Sequence, residues 1–235
     1  MNKIKKFSCL YALLMATTAQ AGMDDDPLLY KVSIDQLEKR YSSNHSDPLI
    51  LEADAWIGKD INKLWLKADA EKVDGELEEL ELQVLYRRAV DAYWDFTVGW
   101  KHNSKPRPKS DWLALGFTGL APYWFEVDAA VYIADDGQTN LNLNLEYEWM
   151  LTQQWVLSPE AEINLYSKDD DATEIGAGLS SSQLGLRLKY EIYRELAPYI
   201  GINWNQKFGG TADHARSTGE TSSDTQFVIG LSAWF

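Results

Sequence analysis

The chain has 235 residues, 45% of them hydrophobic, with a formal net charge of −14. So acidic a balance argues against a nucleic-acid partner, which calls for clustered basic residues, and the single cysteine, Cys9, rules out a disulfide framework. No apolar run approaches the roughly 20 residues of a spanning helix, so any membrane location must be built from strands.

The first residues read as a secretory signal peptide. Lys3, Lys5 and Lys6 make a basic start, residues 7–17 an apolar run, and Ala19-Gln20-Ala21 the small-x-small pattern that precedes cleavage. Residues 1–21 contain Cys9, three lysines and no acid, so the mature chain has no thiol and stands at −17. That charge favours cations at its surface or in a channel. Residues 22–28, acidic and marked by Pro27, are expected to form a short mobile lead-in, and residues 29–235 a single β domain.

From Leu29 onward, runs of about ten residues with period-two alternation are separated by turn-rich stretches. A first pair covers 30–41 and 49–57, with Leu51, Ala53, Ala55 and Ile57 on one face and Glu52, Asp54 and Trp56 on the other. In 62–73, Leu64, Leu66 and Ala68 oppose Trp65, Lys67, Asp69 and Glu71; in 80–89, Leu82, Val84 and Tyr86 oppose Glu81, Gln83 and Arg87. The runs 94–101, 112–119 and 124–133 continue the pattern, the last setting Val127, Ala129 and Val131 against Glu126 and Asp128. In 139–149, Leu141, Leu143 and Leu145 oppose Asn142, Asn144, Glu146 and Glu148; in 155–166, Ala161 and Ile163 oppose Glu160, Glu162 and Asn164. The runs 184–193 and 199–208 precede the last, 224–235, in which Phe227, Ile229, Leu231, Ala233 and Phe235 share one face.

Twelve runs suit a closed antiparallel barrel of outer-membrane type, with an apolar lipid face and a polar interior. A soluble periplasmic sandwich also alternates, but the density of Glu, Asp, Lys, Arg and Asn on the polar face suits a wet or salt-bridged lumen better. With the amino end in the periplasm, the outer connections are 42–48, 74–79, 102–110, 134–138, 167–182 and 209–223. The inner ones are tighter, at 58–61, 90–93, 120–122, 150–154 and 194–198, and aromatic residues such as Tyr93, Trp124, Trp149, Trp155 and Tyr193 gather beside them. Long outer loops, short inner turns and an aromatic girdle are the pattern of such barrels.

For chemistry the sequence offers three histidines, His45, His102 and His214, all on the outer side, and none in a recognisable Ser/His or Asp/His constellation. No enzyme is expected. In a closed barrel the first and last outer loops are neighbours, which lets His45 approach His214 and its neighbour Asp213; imidazole with carboxylates such as Asp47, Asp136 or Asp213 suits Cu, Zn or Ni. Solvated loop histidines that bind nothing have the same sequence pattern. The polar faces either line a cation path through Glu52, Asp54, Glu126, Asp128, Glu146, Glu148, Glu160 and Glu162, or pair with Lys63, Lys67, Arg87, Arg187, Lys189 and Lys207 and plug the interior.

Four stretches, GLAPYWFEVDAA (119–130), LTQQWVLSPEAEINLYSKDD (151–170), GLRLKYEIYRELAPYIGINWNQKFGGTAD (185–213) and DTQFVIGLSAWF (224–235), resemble the copper resistance protein B family in the same order. The resemblance covers the chain from about Tyr30 to Phe235. It implies an outer-membrane barrel of copper homeostasis in Gram-negative bacteria, binding or passing copper ions without catalysis, with no catalytic cofactor. It also implies periplasmic copper-handling proteins as neighbours, so the alternative is a plugged scaffold that docks a periplasmic multicopper oxidase or copper carrier. Many family members carry a Met- and His-rich segment before the barrel; here only Met23 precedes the first strand in the mature chain. The candidate metal ligands are therefore His45, His102, His214, Asp213 and Met23.

Overall fold

The computed structural model describes residues 26–42 and 47–235; the signal peptide, Met23, most of the lead-in and His45 lie outside them. Twelve long antiparallel strands form a closed ring, in which β1 (Leu29–Ser42) pairs on one side with β2 (Leu49–Gly58) and on the other with β13 (Ser223–Trp234). The ring continues through β3 (Asn62–Val73), β4 (Glu76–Ala89), β5 (Trp94–Lys105), β6 (Ser110–Ala121), β7 (Phe125–Ala134) and β8 (Thr139–Glu146). It returns to the seam through β10 (Trp155–Tyr166), β11 (Gly178–Tyr190) and β12 (Leu196–Lys207). The seam runs from Ser33 opposite Trp234 to Ser42 opposite Gln226, and Phe235 exchanges both backbone hydrogen bonds with Val32, at 2.8 and 3.0 Å.

Alternation places the two chemistries as expected. Leu64, Leu66, Leu82, Val84, Leu113, Phe117, Leu184, Leu186, Ile200, Ile202, Phe227 and Ile229 are exposed on the outer wall. Gln83, Arg87, Asn140, Arg187, Asn203 and Gln226 are buried within. In water such a wall would be an aggregation surface; in lipid it is the solvated face.

Several boundaries differ from the sequence reading, each for a local reason. Asp74 and Gly75 both take positive φ, 49° and 91°, so the connection expected over 74–79 is a two-residue hairpin turn and β4 starts at Glu76. The loop expected at 102–110 shrinks to 106–109, because β5 and β6 stay paired through Asn103 and Ser110. Pairing of Asn164 with Ser181 likewise draws 178–182 into β11. The last outer connection contains a helix, α1 (Gly209–Thr218), closed by Gly219 at φ 86°. At the opposite end the run 139–149 breaks after Glu146, leaving a two-residue strand β9 (Trp149–Met150). Pro159 in the facing strand β10 has no N–H to donate there, although its carbonyl still accepts from Tyr147 N at 3.1 Å. In β1 a bulge between Ile34 and Gln36 reverses the parity, so Tyr30 and Val32 face outward before it and Leu37 and Tyr41 after it.

Candidate functional site

The bulge in β1 has a direct consequence inside, because it turns Gln36, Glu38 and Arg40 into the lumen, all three buried. The lumen holds a cavity of about 670 Å3 whose wall includes thirteen acidic residues and four basic ones. Pro106, Lys109, Asp136, Asp170 and Thr173 from the outer connections line its upper part, and Asp35, Asp54, Asp128 and Glu160 line it further down the strands. It is a vestibule that reaches from the outer connections down into the lumen.

On one wall the carboxylates form a ladder. Glu52 of β2 stands directly opposite Asp69 of β3, Asp69 opposite Glu81 of β4, and Glu71 opposite Glu79. Like charges directly opposite each other in a sheet destabilise it. Lys101 relieves one rung, its Nζ 2.6 Å from Glu81 and 4.2 Å from the centre of the Tyr132 ring. Among the described residues Glu52, Asp69, Glu71 and Glu79 form no ion pair within 4.0 Å. On another wall Glu162 accepts hydrogen bonds from Asn142 and Asn164, at 2.7 and 2.9 Å.

Elsewhere the interior is paired, and the pairs run across the lumen. Lys67 of β3 meets Asp128 of β7 at 3.2 Å, and Arg87 of β4 meets the same carboxylate at 3.6 Å while lying 4.0 Å over the Trp65 ring. Arg187 of β11 binds Glu38 of β1 through two hydrogen bonds of 3.0 Å, Glu160 of β10 at 2.5 Å and the Gln36 amide oxygen at 2.9 Å. Tyr199 donates to Glu38 at 2.9 Å, and Arg40 meets Glu38 at 2.6 Å. Towards the periplasmic end Lys189 lies 3.4 Å from Glu146 and 3.5 Å from Glu148, and Lys63 lies 3.9 Å from Asp95. Lys207, expected to neutralise the lumen, instead pairs with Glu220 at 2.8 Å in the last outer connection.

The sequence-derived ligands lie outside this cavity or outside the described residues. His102 is on the outer face of β5, stacked on Trp100 with centroids 5.4 Å apart and with its Nδ1 2.7 Å from Asp111 of β6. His214 on α1 lies 3.5 Å from Asp171, and Asp213 pairs with Arg216 at 2.7 Å. Among the described residues no three His, Cys, Asp or Glu side chains are gathered as a metal site. The ladder carboxylates are spread along a wall, which suits attraction of a hydrated cation rather than chelation. Sequence reasoning missed Gln36, Glu38 and Arg40; the change in apolar parity between Ile34 and Leu37 is the signal that reveals them.

A closed twelve-stranded ring with an apolar outer wall and a charged lumen defines an outer-membrane β-barrel protein. Solved barrels of that kind share the fold. The NanC porin aligns with a TM-score of 0.56 at 10% identity, over 87% of this chain and 99% of that one. The outer membrane phospholipase A of Escherichia coli aligns at 0.50 and 15% identity, over 88% and 91%. The family model for Copper resistance protein B precursor (CopB) matches residues 28–235. Copper resistance protein B of Escherichia coli is 40% identical over 214 residues, 91% of this chain and 72% of that protein. A homologue from Pseudomonas syringae pv. tomato is 39% identical over 201 residues, 86% and 68% respectively. The chain belongs to the copper resistance protein B family, and the protein resides in the outer membrane with a role in copper resistance.

Proposed function

We propose that the barrel serves copper resistance without catalysis, by drawing copper ions from the outer side into the acidic vestibule and holding them there. The observation that carries this reading is the ladder Glu52–Asp69–Glu81 with Glu71–Glu79, like charges kept in register at a cost in sheet stability. A resident cation offsets that cost, and cavity walls of low dielectric focus the field on it. The loop imidazoles have an auxiliary part in this scheme. His214 contacts Asp171, whose neighbour Asp170 lines the vestibule, and His45, His102 and Asp213 are further candidate ligands on the entry side, with Met23 ahead of β1 a candidate on the periplasmic side.

The test is copper titration of the refolded mature protein at neutral pH. The triple variant Glu52→Gln, Asp69→Asn, Glu79→Gln is expected to lose most of the bound copper, and His45→Ala with His214→Ala to weaken binding further. Copper binding that survives the triple variant unchanged would refute the vestibule as the holding site.

A second reading, docking of a periplasmic copper oxidase or carrier, has one observation in its favour. Tyr123 and Trp124 at an inner turn are 84% and 67% exposed, and both adopt left-handed backbone at φ 69° and 67°. That conformation is costly for non-glycine residues. Pull-down of such a partner by wild type and not by Tyr123→Ser with Trp124→Ser would support it.

A further inference from the structure

The lining of the vestibule stops short of the periplasmic end of the barrel. Its wall includes Asp35, Asp128 and Glu160, whereas Lys63, Asp95, Glu126, Glu146 and Lys189 of the periplasmic end are absent from its lining. Between the two regions lies Arg187, 4% exposed, joined to Glu38, which is fully buried. Its contacts reach β1 and β10, four strands apart around the ring, and Gln36 of β1 adds a hydrogen bond to Glu160 of β10 at 3.3 Å.

Space has been cleared for this cluster. A Cβ at Gly185 would overlap the Arg187 guanidinium and one at Gly230 the Tyr199 ring, whereas one at Gly201 would first meet the Leu186 backbone carbonyl. Two glycines, on β11 and β13, thus make the slot for one arginine and one tyrosine. Stability alone does not account for it, because a buried ion pair rarely outperforms an apolar packing of the same volume. Two members of the cluster, Arg40 and Glu160, also face the vestibule.

We infer that Arg187, Glu38 and Glu160 form an ionic lock that closes the lumen beneath the vestibule, so that the barrel is non-conducting until the lock is broken. The inference deepens the capture reading: a cation that enters from outside is retained, and its passage requires Glu160 to release Arg187.

Conductance of the full mature protein in planar bilayers, in potassium chloride without copper, tests the lock separately from copper capture. Wild type is expected to give no current steps. Arg187→Ala, and Glu38→Gln with Glu160→Gln, are expected to give resolved steps, while Tyr199→Phe, which leaves every Arg187 contact in place, stays silent. Folding of each variant is checked by heat-modifiable migration. Should Arg187→Ala fail to fold, Gly185→Ala decides, since its methyl group displaces the end of the guanidinium without removing a charge. Steady steps from wild type, or silence from a folded Arg187→Ala or Gly185→Ala, would overturn the lock. A silent wild type that binds no copper would sink the capture reading alone, and a conducting one that binds copper the lock alone.

Discussion

Replacing Leu115 by arginine should unfold the barrel more readily than the same replacement at the rim. Leu115 is the sixth of the twelve residues of β6, and its cross-strand partners on the outer wall are Val98 and Val131. Four residues above it Asp111, on the same face, pairs with His102, which marks where the wall becomes polar. At about 3.4 Å per residue and a tilt near 40°, those four residues place Leu115 roughly 10 Å deeper. The apolar band of such a barrel is about 25 Å tall, so Leu115 sits close to its middle. Arginine there costs about 2–4 kcal/mol, against about 0–1 kcal/mol near an interface. Thr225, exposed on the outer face three residues into β13 from its outer end, is the rim control. The difference of about 2–3 kcal/mol is roughly a thirty- to hundred-and-fiftyfold change in the folding equilibrium. Guanidinium titration in lipid vesicles, followed by tryptophan fluorescence, reads it. Equal destabilisation by Leu115→Arg and Thr225→Arg would show that the wall does not face lipid.

Three further outcomes follow from the lumen and the seam. Glu38→Ala leaves Arg187 and Arg40 without their shared carboxylate and should cost about 3–5 kcal/mol in the same titration, whereas Glu220→Ala, exposed on Lys207, should change it little. Gly230→Val forces the Tyr199 ring out of its slot and should cost about 1–3 kcal/mol from overpacking; a stable variant would mean the slot is not needed. Deleting Phe235 removes two seam hydrogen bonds to Val32, each worth about 0.5–1.5 kcal/mol. It should lower the heat-modifiable fraction recovered from outer membranes while leaving the copper affinity of the folded fraction unchanged.

Period-two alternation made the fold legible because it records a physical requirement, lipid on one side and charge on the other, that holds along every strand. The twelve strands and both sets of connections follow from it. Boundaries failed where pairing or turn chemistry overrode composition. Polar residues such as Asn103 and Ser181 stay in register with strand partners, so the strands run past the last apolar residue. Asp74-Gly75 closes a hairpin in two residues where a charge-rich stretch looked like a loop.

The site was legible only by half, and the reason is geometric. Parity tells which residues face inward, so Glu52, Asp69 and Glu81 are readable as lumen residues. Their being directly opposite one another depends on register, which parity leaves free by steps of two. Pairing across the lumen is a further step removed: Arg187 finds Glu38 149 positions away, through a contact fixed by barrel closure and by a one-residue bulge in β1. Loss of that bulge would turn Glu38 outward and leave Arg187 with Glu160 as its remaining carboxylate partner. The bulge is therefore the local feature on which the contact between Glu38 and Arg187 depends.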